Sequence, residues 1–305
     1  MALLVESFAK LNLFLEVGDR TSSGYHELST VMQSISPADV LRIEEGDGIE
    51  VVCDDPSVPG GEGNTAFRAP SLRRVGVGGW AGCKISIQKK IPVEAGLGGG
   101  SGDAAAVLAG LARLWGLAVP LERLARIGAE IGTDVPFFLY GGTRLCEGRG
   151  EIVRPYPPVP ASTRFLVVTP KERLRTSFVY KEFDTLALTG AGRSSNLMKV
   201  PDPEPGNVLR CLFNRLEEVV VPAFPSVREL LGRMEPLCPG GVRMSGSGPS
   251  LFGLLASTGV DQGELLSRFA DCRFAAVAHP TFSGYRFLPP LSTGLSNEGG
   301  EQNGD

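Results

Sequence analysis

One glycine-rich stretch limits what this chain can fold into more than any other feature. Residues 91–105 read IPVEAGLGGGSGDAA, and five of these fifteen residues are glycine. Glycine loses more conformational freedom on folding than any other residue, so a run of glycines is expected where the backbone turns sharply or lies against a ligand. The stretch therefore predicts a tight turn or a ligand-binding loop.

The flanking residues indicate which elements the glycines connect. The segment ISIQKKI (85–91) alternates apolar and polar residues, which predicts a strand, and it ends at Pro92. From Ser101 onwards, apolar residues recur at helical spacing, and Ser101 is expected to cap that helix. This order places the glycine loop directly before a helix N-terminus. Such a loop is suited to bind an anion, because the first helical amides are unpaired.

Three known glycine motifs do not fit this loop. The dinucleotide fingerprint fails because Ser101 follows Gly96 and Gly98 where a further glycine is required, and the Walker loop fails because no lysine follows. The hydrolase elbow G-x-S-x-G fails because Gly102 is followed by Asp103. The glycines alone leave a phosphate cradle and a structural turn equally open.

Composition excludes several other classes of protein. The chain has 305 residues, 42% of them hydrophobic and 21% charged, which is typical of a soluble globular protein with two domains. A net charge of −4 argues against a nucleic-acid scaffold, and we expect neither a signal peptide nor a membrane span. The six cysteines form no C-x-x-C pair and the two histidines lie far apart, which disfavours a zinc site and suits a reducing cytoplasm.

The remaining pattern divides the chain. The segment LNLFLEVG (11–18) predicts a strand with Lys10 and Asn12 on one face, and LERLARIGAEIG (121–132) predicts a helix that ends at glycine. The proline-rich segment RPYPPVP (154–160) is the best candidate boundary. We expect an N-terminal ATP-binding domain over 1–158, a C-terminal domain over 159–290 and a disordered tail over 291–305.

Three motifs in order carry a family resemblance. The segments AKLNLFL (9–15), PVEAGLGGGSGDAA (92–105) and MSGSGPSLF (244–252) resemble the three motifs of the GHMP small-molecule kinases. GYHEL (24–28), GTDVPFFLYGGT (132–143) and GRGE (148–151) narrow the resemblance to the branch that phosphorylates a cytidine diphosphate-linked methylerythritol. The resemblance implies a two-domain α/β fold of the α+β type, with a ribosomal S5 domain 2-like N-terminal domain and a ferredoxin-like C-terminal domain.

The same resemblance implies a reaction and roles for the motif residues. The γ-phosphoryl of ATP would move to the 2-hydroxyl of the acceptor, in the methylerythritol phosphate route to isoprenoids. Asp134 would accept the hydroxyl proton and Lys10 would assist it, although an aspartate at such a position is by itself more often a cap. Pro136 is also expected to hold Val135 in an extended conformation. The residues implied to bind ATP are Asn64, Lys89, Pro92, Val93, Glu94, Ala95, Gly96, Leu97, Gly98, Gly99, Gly100, Ser101 and Gly102.

The acceptor is implied to lie against a second set of residues. Tyr25 and Tyr180 would stack on its cytosine, and His26 would form a hydrogen bond with the base. Asn12 would position the acceptor, and Ser245 and Gly246 would cradle the transferred phosphoryl or brace the glycine loop. On the residues alone, GYHEL favours a turn before a strand, and the SGSG run (245–248) is equally a hairpin turn.

Four positions depart from the family pattern. Gly102 replaces a usual serine, Phe8 a small residue or proline, Arg215 a common aspartate and Arg175 a small residue. The loss of a serine hydroxyl at Gly102 removes a potential contact with phosphate or metal. No acidic cluster requires a metal, so Mg²⁺ is expected to arrive on the ATP phosphates.

The partners and the rival functions follow from the same reading. We expect a small-molecule substrate, no nucleic acid, no membrane, and a monomer or weak homodimer. Two rivals stay open: a GHMP kinase for mevalonate, homoserine or a sugar, and a non-catalytic ATP-binding regulator on the same scaffold. The presence of both Asp134 and Lys10 argues against the regulator.

Overall fold

Two β-sheets with helices packed against them make up the fold of the computed structural model. The structure describes residues 2–22, 24–69, 82–185, 199–256 and 261–289. The strands are β1 (Ala2–Arg20), β2 (His26–Gly46), β3 (Ile49–Cys53), β4 (Gly82–Gln88), β5 (Thr143–Gly148), β6 (Ile152–Pro155), β7 (Phe165–Thr169), β8 (Phe213–Asn214), β9 (Val242–Met244), β10 (Leu251–Leu254), β11 (Phe274–Ala278) and β12 (Tyr285–Phe287). The helices are α1 (Thr65–Arg68), α2 (Gly99–Leu114), α3 (Leu121–Ile131), α4 (Val135–Tyr140), α5 (Thr176–Thr185), α6 (Glu217–Ala223), α7 (Pro225–Met234) and α8 (Gln262–Ser267).

The first sheet is built around the antiparallel pair β1 and β2. Its central order is β12-β1-β2-β4-β3, with β5 and β6 continuing from β2 and with β8 lying parallel to β1. The register of β1 against β2 shifts between Phe8 and Ala9 and again between Asn12 and Phe14. Such bulges bend a strand and change the direction of its side chains. Both shifts flank the segment that carries Lys10 and Asn12.

Helix α2 packs closely on this sheet because its buried side chains are small. Ala104, Ala105 and Ala106 have no exposed surface. A Cβ on Gly110 would lie 2.4 Å from Ile43 Cδ1, so a larger residue there would require the Ile43 side chain to move. The close packing holds the N-terminus of α2 at one edge of the sheet, directly after the glycine loop.

Two local expectations were wrong. Helix α2 begins at Gly99 rather than Ser101, and its N-cap is Gly98, with φ 72° and no side-chain capping bond. Only glycine adopts such a backbone readily, so the turn rather than a serine hydroxyl starts the helix. Val135 is helical rather than extended, with Pro136 in the first turn of α4. Proline is tolerated there because the first helical amides have no intrahelical partner to lose.

The second sheet and the last four helices form the other layer. The sheet has the antiparallel order β11-β7-β10-β9. Val227 and Leu230 of α7 and Leu265 of α8 are buried in its core cluster. The apolar segments RFLVV (164–168) and LFGLL (251–255) supply β7 and β10, the two central strands of this sheet. Strand β12 returns to pair with β1, so the chain's last described strand belongs to the first sheet.

The predicted domain limits at 158 and 290 stay predictions. No helix or strand lies between the end of β6 and the start of β7, where the proline-rich boundary was expected. The predicted tail over 291–305 lies outside the described residues. Within the part of the chain that the structure describes, no helix is long and apolar enough to cross a bilayer.

Candidate active site

A cleft of about 1120 Å³ runs between the glycine loop, strand β1 and helix α5. It brings together most of the residues predicted for the site. Those that line it are Lys10, Asn12, Tyr25, His26, Asn64, Lys89, Pro92, Val93, Glu94, Ala95, Gly96, Gly98, Gly99, Gly100, Ser101, Asp134, Tyr180 and Gly246. Leu97, Gly102 and Ser245 do not line it and are buried. These three residues support the cleft from behind.

The glycine loop owes its course to backbone conformations that other residues rarely adopt. Gly96 and Gly98 have φ values of 76° and 72°, and Glu94 also has a positive φ of 51°. A Cβ on Gly96 would lie 2.0 Å from the carbonyl oxygen of Ser245, and one on Gly98 would lie 2.7 Å from the Phe138 ring. These two glycines are therefore required for the folded loop itself.

Gly100 has a different environment. Among the described residues outside its own helical turn, the heavy atom that a Cβ built there would approach within 4 Å is Thr65 Oγ1, at 3.6 Å. The residue lies in the first turn of α2, where no side chain caps the free amides. Unpaired amides at the positive end of a helix dipole, with open space in front of them, are suited to bind phosphate. The residues present therefore fit a nucleotide triphosphate.

The opposite wall of the loop is braced by the SGSG run. Ser245 Oγ donates to the carbonyl of Gly96 at 2.9 Å, and Ser245 has no exposed surface. Gly246 has φ 58°, and a Cβ there would lie 3.1 Å from Lys10 Nζ. Of the two implied roles of this run, bracing the loop is the one that the Ser245 contact supports.

Lys10, Asn12 and Asp134 meet beside this loop. Lys10 Nζ donates to Asn12 Oδ1 and lies 4.0 Å from Asp134 Oδ2. Asn12 Nδ2 donates to Thr30 Oγ1 at 2.9 Å, so both polar ends of the buried amide are engaged. Burial lowers the pKa of Lys10, an effect that the Asp134 charge opposes. Asn12 thus orients Lys10 toward the carboxylate.

The carboxylate of Asp134 is not used as a helix cap. Asp134 precedes α4, but its side chain forms no capping bond with that helix. It lines the cleft, and its side chain keeps 28% of its surface exposed. A carboxylate that faces a cleft beside a buried ammonium is suited to accept a proton from a bound hydroxyl.

The far end of the cleft is aromatic. The rings of His26 and Tyr180 are stacked, with centroids 5.6 Å apart. Tyr25 lines the same end of the cleft and is 56% exposed, so its ring is accessible to a ligand. Burial raises the pKa of Tyr180, and the Asp134 charge adds to the shift. The two predicted aromatic faces therefore lie on the same cleft as the predicted base.

The ring of His26 is held at both nitrogens. Nδ1 lies 3.0 Å from the carbonyl oxygen of Gly18, and Nε2 lies 2.9 Å from Asp184 Oδ1 on helix α5. Arg20 Nη1 lies 3.6 Å from the other oxygen of Asp184. Sequence reasoning missed Asp184, and no local signal could have identified it, because 158 residues separate it from His26.

Arg149 is a second residue whose role the sequence did not indicate. Its guanidinium lies 5.2 Å from the centroid of the Tyr25 ring, and it lines the cleft. The next residue, Gly150, is close to the base: a Cβ there would lie 3.5 Å from Asp134 Oδ1. The GRGE turn therefore spans the distance between the aromatic end and the carboxylate.

The end of the cleft that is predicted to bind ATP contains a buried polar cluster and an amide side chain that is paired at one end. Asn64 Oδ1 accepts from Ala66 N at 2.9 Å and caps α1, while Asn64 Nδ2 is buried without a partner among the described residues. Lys89 Nζ contacts Asp39 at 2.5 Å and Asp103 at 2.8 Å. Lys89 was predicted to lie near adenosine, and both of its carboxylate contacts are internal to the protein.

Comparison with known proteins agrees with this geometry. The GHMP kinases N terminal domain model matches residues 64–142, and the GHMP kinases C terminal model matches residues 203–268. The chain is 42% identical to a 4-diphosphocytidyl-2-C-methyl-D-erythritol kinase of Pelobacter propionicus over 83% of this chain and 89% of the relative. The corresponding protein of Geobacter sulfurreducens is also 42% identical, with the same coverage.

Solved structures extend the comparison. A 4-(cytidine 5'-diphospho)-2C-methyl-D-erythritol kinase matches with a TM-score of 0.69 and 32% identity, over 92% of this chain and 99% of that one. A homoserine kinase from Cytophaga hutchinsonii matches with a TM-score of 0.64 at 19% identity, over 94% and 97% of the two chains, which shows a shared fold alone. The predicted two-domain α/β fold class is confirmed.

Proposed function

Because the chain belongs to the 4-diphosphocytidyl-2-C-methyl-D-erythritol kinase family of the GHMP kinases, we propose that it phosphorylates the 2-hydroxyl of that cytidylylated alcohol with ATP. The product would be an isoprenoid precursor of the methylerythritol phosphate route. The observation that carries the proposal is one cleft with an anion-binding glycine loop, a carboxylate–ammonium pair and an aromatic end.

The donor binds at the glycine loop. The uncapped amides at the start of α2 face the phosphates, and the space in front of Gly100 admits them. The unpaired Asn64 amide group faces the same cleft and offers a donor to the nucleoside. Among the described residues no group of three or more His, Cys, Asp or Glu side chains could hold a metal, so we propose that Mg²⁺ enters with the phosphates and neutralises part of their charge.

The chemical step takes place at Asp134 and Lys10. As the acceptor oxygen forms its bond to the γ-phosphorus, its proton passes to the Asp134 carboxylate and the bond to the leaving ADP oxygen breaks. The Lys10 ammonium, 4.0 Å from the Asp134 carboxylate, stabilises negative charge on the transferring group during the step. Asn12 and Thr30 hold Lys10 in this position.

The acceptor lies along the other half of the cleft. Its cytosine stacks on Tyr25 and Tyr180, which line that end together with His26. Arg149, between the aromatic end and Asp134, carries the positive charge that the acceptor's diphosphate requires. Both ring nitrogens of His26 already have partners, the Gly18 carbonyl and the Asp184 carboxylate. The polar contact with the base at this end is therefore made by the Asp184 carboxylate or by backbone atoms. The predicted cytoplasmic location and weak or absent dimerisation stay predictions.

A comparison of two acceptors tests the proposal. ADP release is measured with the cytidylylated acceptor and with methylerythritol 4-phosphate, which lacks the cytidylyl group. Base–aromatic stacking contributes about 1–3 kcal/mol per base, so we expect kcat/KM for the truncated acceptor to be roughly a hundredfold lower or worse. Tyr25→Ala should reduce the use of the complete acceptor far more than that of the truncated one.

The same assay separates the rival functions. Preference for mevalonate, homoserine or a sugar would replace this proposal with another GHMP kinase activity, and equal use of the two methylerythritol acceptors would remove the cytidine requirement. ATP binding without phosphoryl transfer to any acceptor would support the regulator. The acceptor preferences are read from kcat/KM in the coupled assay, and ATP binding without turnover is read from calorimetry.

A further inference from the structure

Two buried carboxylates share one ammonium beneath the glycine loop. Lys89 Nζ contacts Asp39 Oδ2 at 2.5 Å and Asp103 Oδ2 at 2.8 Å. The three side chains are 6%, 0% and 4% exposed, in the order Lys89, Asp39, Asp103. When both acids are ionised, the cluster has a net negative charge. Removing an uncompensated charge from water is unfavourable, so one member is expected to hold a proton more readily than usual.

The hydrogen bonds identify which acid takes that proton. Both oxygens of Asp39 are engaged: Oδ2 contacts Lys89, and Oδ1 accepts from the backbone amides of Lys90 at 2.6 Å and Ile91 at 2.9 Å. Asp103 Oδ1, in contrast, is buried without a hydrogen-bond partner among the described residues. The proton therefore belongs on Asp103. Consistent with this geometry, burial raises the pKa of Asp103 to about 7; Lys89 and the nearby Ser7 hydroxyl oppose the shift, and Asp39 adds to it.

Few other charges among the described residues lie near Asp103. The groups that face it are Lys89 after β4, Asp39 on β2, Cys53 on β3 and the buried Ser7 hydroxyl on β1. Burial raises the pKa of the Cys53 thiol, which keeps it neutral near pH 7. The charge of the cluster is thus set by the two acids and Lys89.

The cluster lies directly against the phosphate-binding turn. A Cβ on Gly99 would lie 3.1 Å from Lys89 Nζ, and Asp103 is itself in the first turns of α2. Lys89 and Asp103 also line the cleft. A bound triphosphate adds several negative charges next to this net negative cluster. Like charges in a medium of low dielectric constant repel strongly, and protonation of Asp103 relieves the repulsion.

We propose that Asp103, held between Lys89 and Asp39, takes up a proton when the nucleotide binds. The proposal rests on the ATP binding of the proposed function, but not on the identity of the acceptor. By linkage, the complex that holds more protons is favoured at low pH, so nucleotide affinity falls as pH rises through and above 7. The affinity falls by about tenfold per pH unit only at pH values where a whole proton is taken up per bound nucleotide.

Calorimetry measures this proton directly. MgATP is titrated into the full chain at pH 7.5, without acceptor, in PIPES and in Tris, whose ionisation enthalpies differ. The difference in observed enthalpy gives the number of protons taken up per ATP. A site with pKa about 7 is mostly ionised at this pH, so uptake of up to about three-quarters of a proton is expected in the wild type.

Three variants assign the proton. Asp103→Asn removes the site. Asp39→Asn keeps an oxygen for the Lys90 and Ile91 amides but removes the like charge, so Asp103 becomes ionised at lower pH. Both should lose the uptake. Asp54→Asn is the matched control, because Asp54 accepts from the Lys89 backbone at 2.8 Å but is not in contact with the ammonium. Its uptake should equal that of the wild type.

Protonation of the ATP γ-phosphate contributes equally to every variant. It therefore cancels when the proton uptake of the wild type is compared with that of the variants. A wild type that binds MgATP with no more proton uptake than Asp103→Asn and Asp39→Asn overturns the inference while leaving the kinase function intact. Should neither variant bind ATP, the pH dependence of wild-type affinity decides: an affinity that does not fall between pH 6.5 and 8.5, after correction for free MgATP, overturns it. Failure of the wild type to bind ATP contradicts the proposed function instead.

Discussion

The Lys10 ammonium on β1 lies 4.0 Å from the Asp134 carboxylate that precedes α4. A carboxylate that takes a proton from the acceptor contributes about 10²–10⁴-fold to the rate. We therefore expect Asp134→Asn to lower kcat by that factor. The dissociation constant for ATP should change little, because the side chain faces the acceptor half of the cleft. Turnover close to that of the wild type would exclude Asp134 as the base.

The pKa of Lys10 predicts an alkaline limit to activity. Burial lowers this pKa, and the ammonium form is the one that stabilises the transferring group. As pH rises through the lowered pKa, the charge and the activity are lost together, below the ordinary lysine value of about 10.4. The guanidinium of Lys10→Arg stays charged throughout this pH range. This variant should be less active than the wild type, but its kcat should not fall at alkaline pH. A kcat–pH profile that stays flat to pH 10.4 in the wild type would contradict the role of Lys10.

The glycine loop contains one position that tests nucleotide space without disturbing the fold. Gly100→Val should weaken ATP binding by at least tenfold while the thermal midpoint changes little, because among the described residues outside its own turn the added Cβ would approach Thr65 Oγ1 alone, at 3.6 Å. Gly98→Val should instead lower the midpoint itself, since its φ is 72° and the Cβ would clash with Phe138. Calorimetry of ATP binding and thermal unfolding of both variants check the contrast; normal ATP affinity in Gly100→Val would place the phosphates elsewhere.

Asp184 should act on the acceptor through His26. Its contacts with His26 and Arg20 join helix α5 to the turn between β1 and β2. Loss of a hydrogen bond to a charged group has an effect of about 1.5–3 kcal/mol, so Asp184→Asn should raise the acceptor KM roughly tenfold or more. KM for ATP should stay constant. Asp271→Asn, which breaks an exposed pair with Arg233, is the control. Equal effects of the two substitutions on the acceptor KM would mean that Asp184 contributes no more to acceptor binding than an exposed ion pair does.

Arg215 should contribute to stability rather than to catalysis. Its guanidinium binds both oxygens of the buried Glu16 carboxylate at 2.7 Å. Removing one partner of a buried pair is costly, and we expect Arg215→Met to lower the free energy of unfolding by about 3 kcal/mol. Adding Glu16→Gln to the Arg215→Met variant should restore part of the lost free energy of unfolding. Urea unfolding measures both, and an unchanged midpoint for Arg215→Met would mean that the pair is not stabilising.

Much of the donor site could be predicted from local sequence. The strand, the glycine loop and the helix after it follow from periodicity and glycine content, which are properties of adjacent residues. The common face of Lys10 and Asn12 follows from the two-residue period of a strand, and the two side chains are in contact. The details that failed, the cap at Ser101 and the conformation of Val135, depend on backbone geometry that residue type alone does not determine.

The family pattern added what the local sequence could not. Without it, Asp134 reads as a cap, and only the packed structure shows its carboxylate free of α4 and turned to Lys10. The roles of the individual residues, including that of Asp134 as the base, stay predictions.

Sequence by itself determined the strand, the glycine loop and the helix at the donor site, because turns, strands and helices depend mainly on neighbours in the chain. Tertiary structure alone decided the pairs: Asp184 with His26, and Lys89 between Asp39 and Asp103. These contacts join residues that are distant in sequence, so they depend on strand register and on how closely α2 packs on the sheet. Burial, which raises the pKa of Asp103 and lowers that of Lys10, likewise exists only once the core has closed around them.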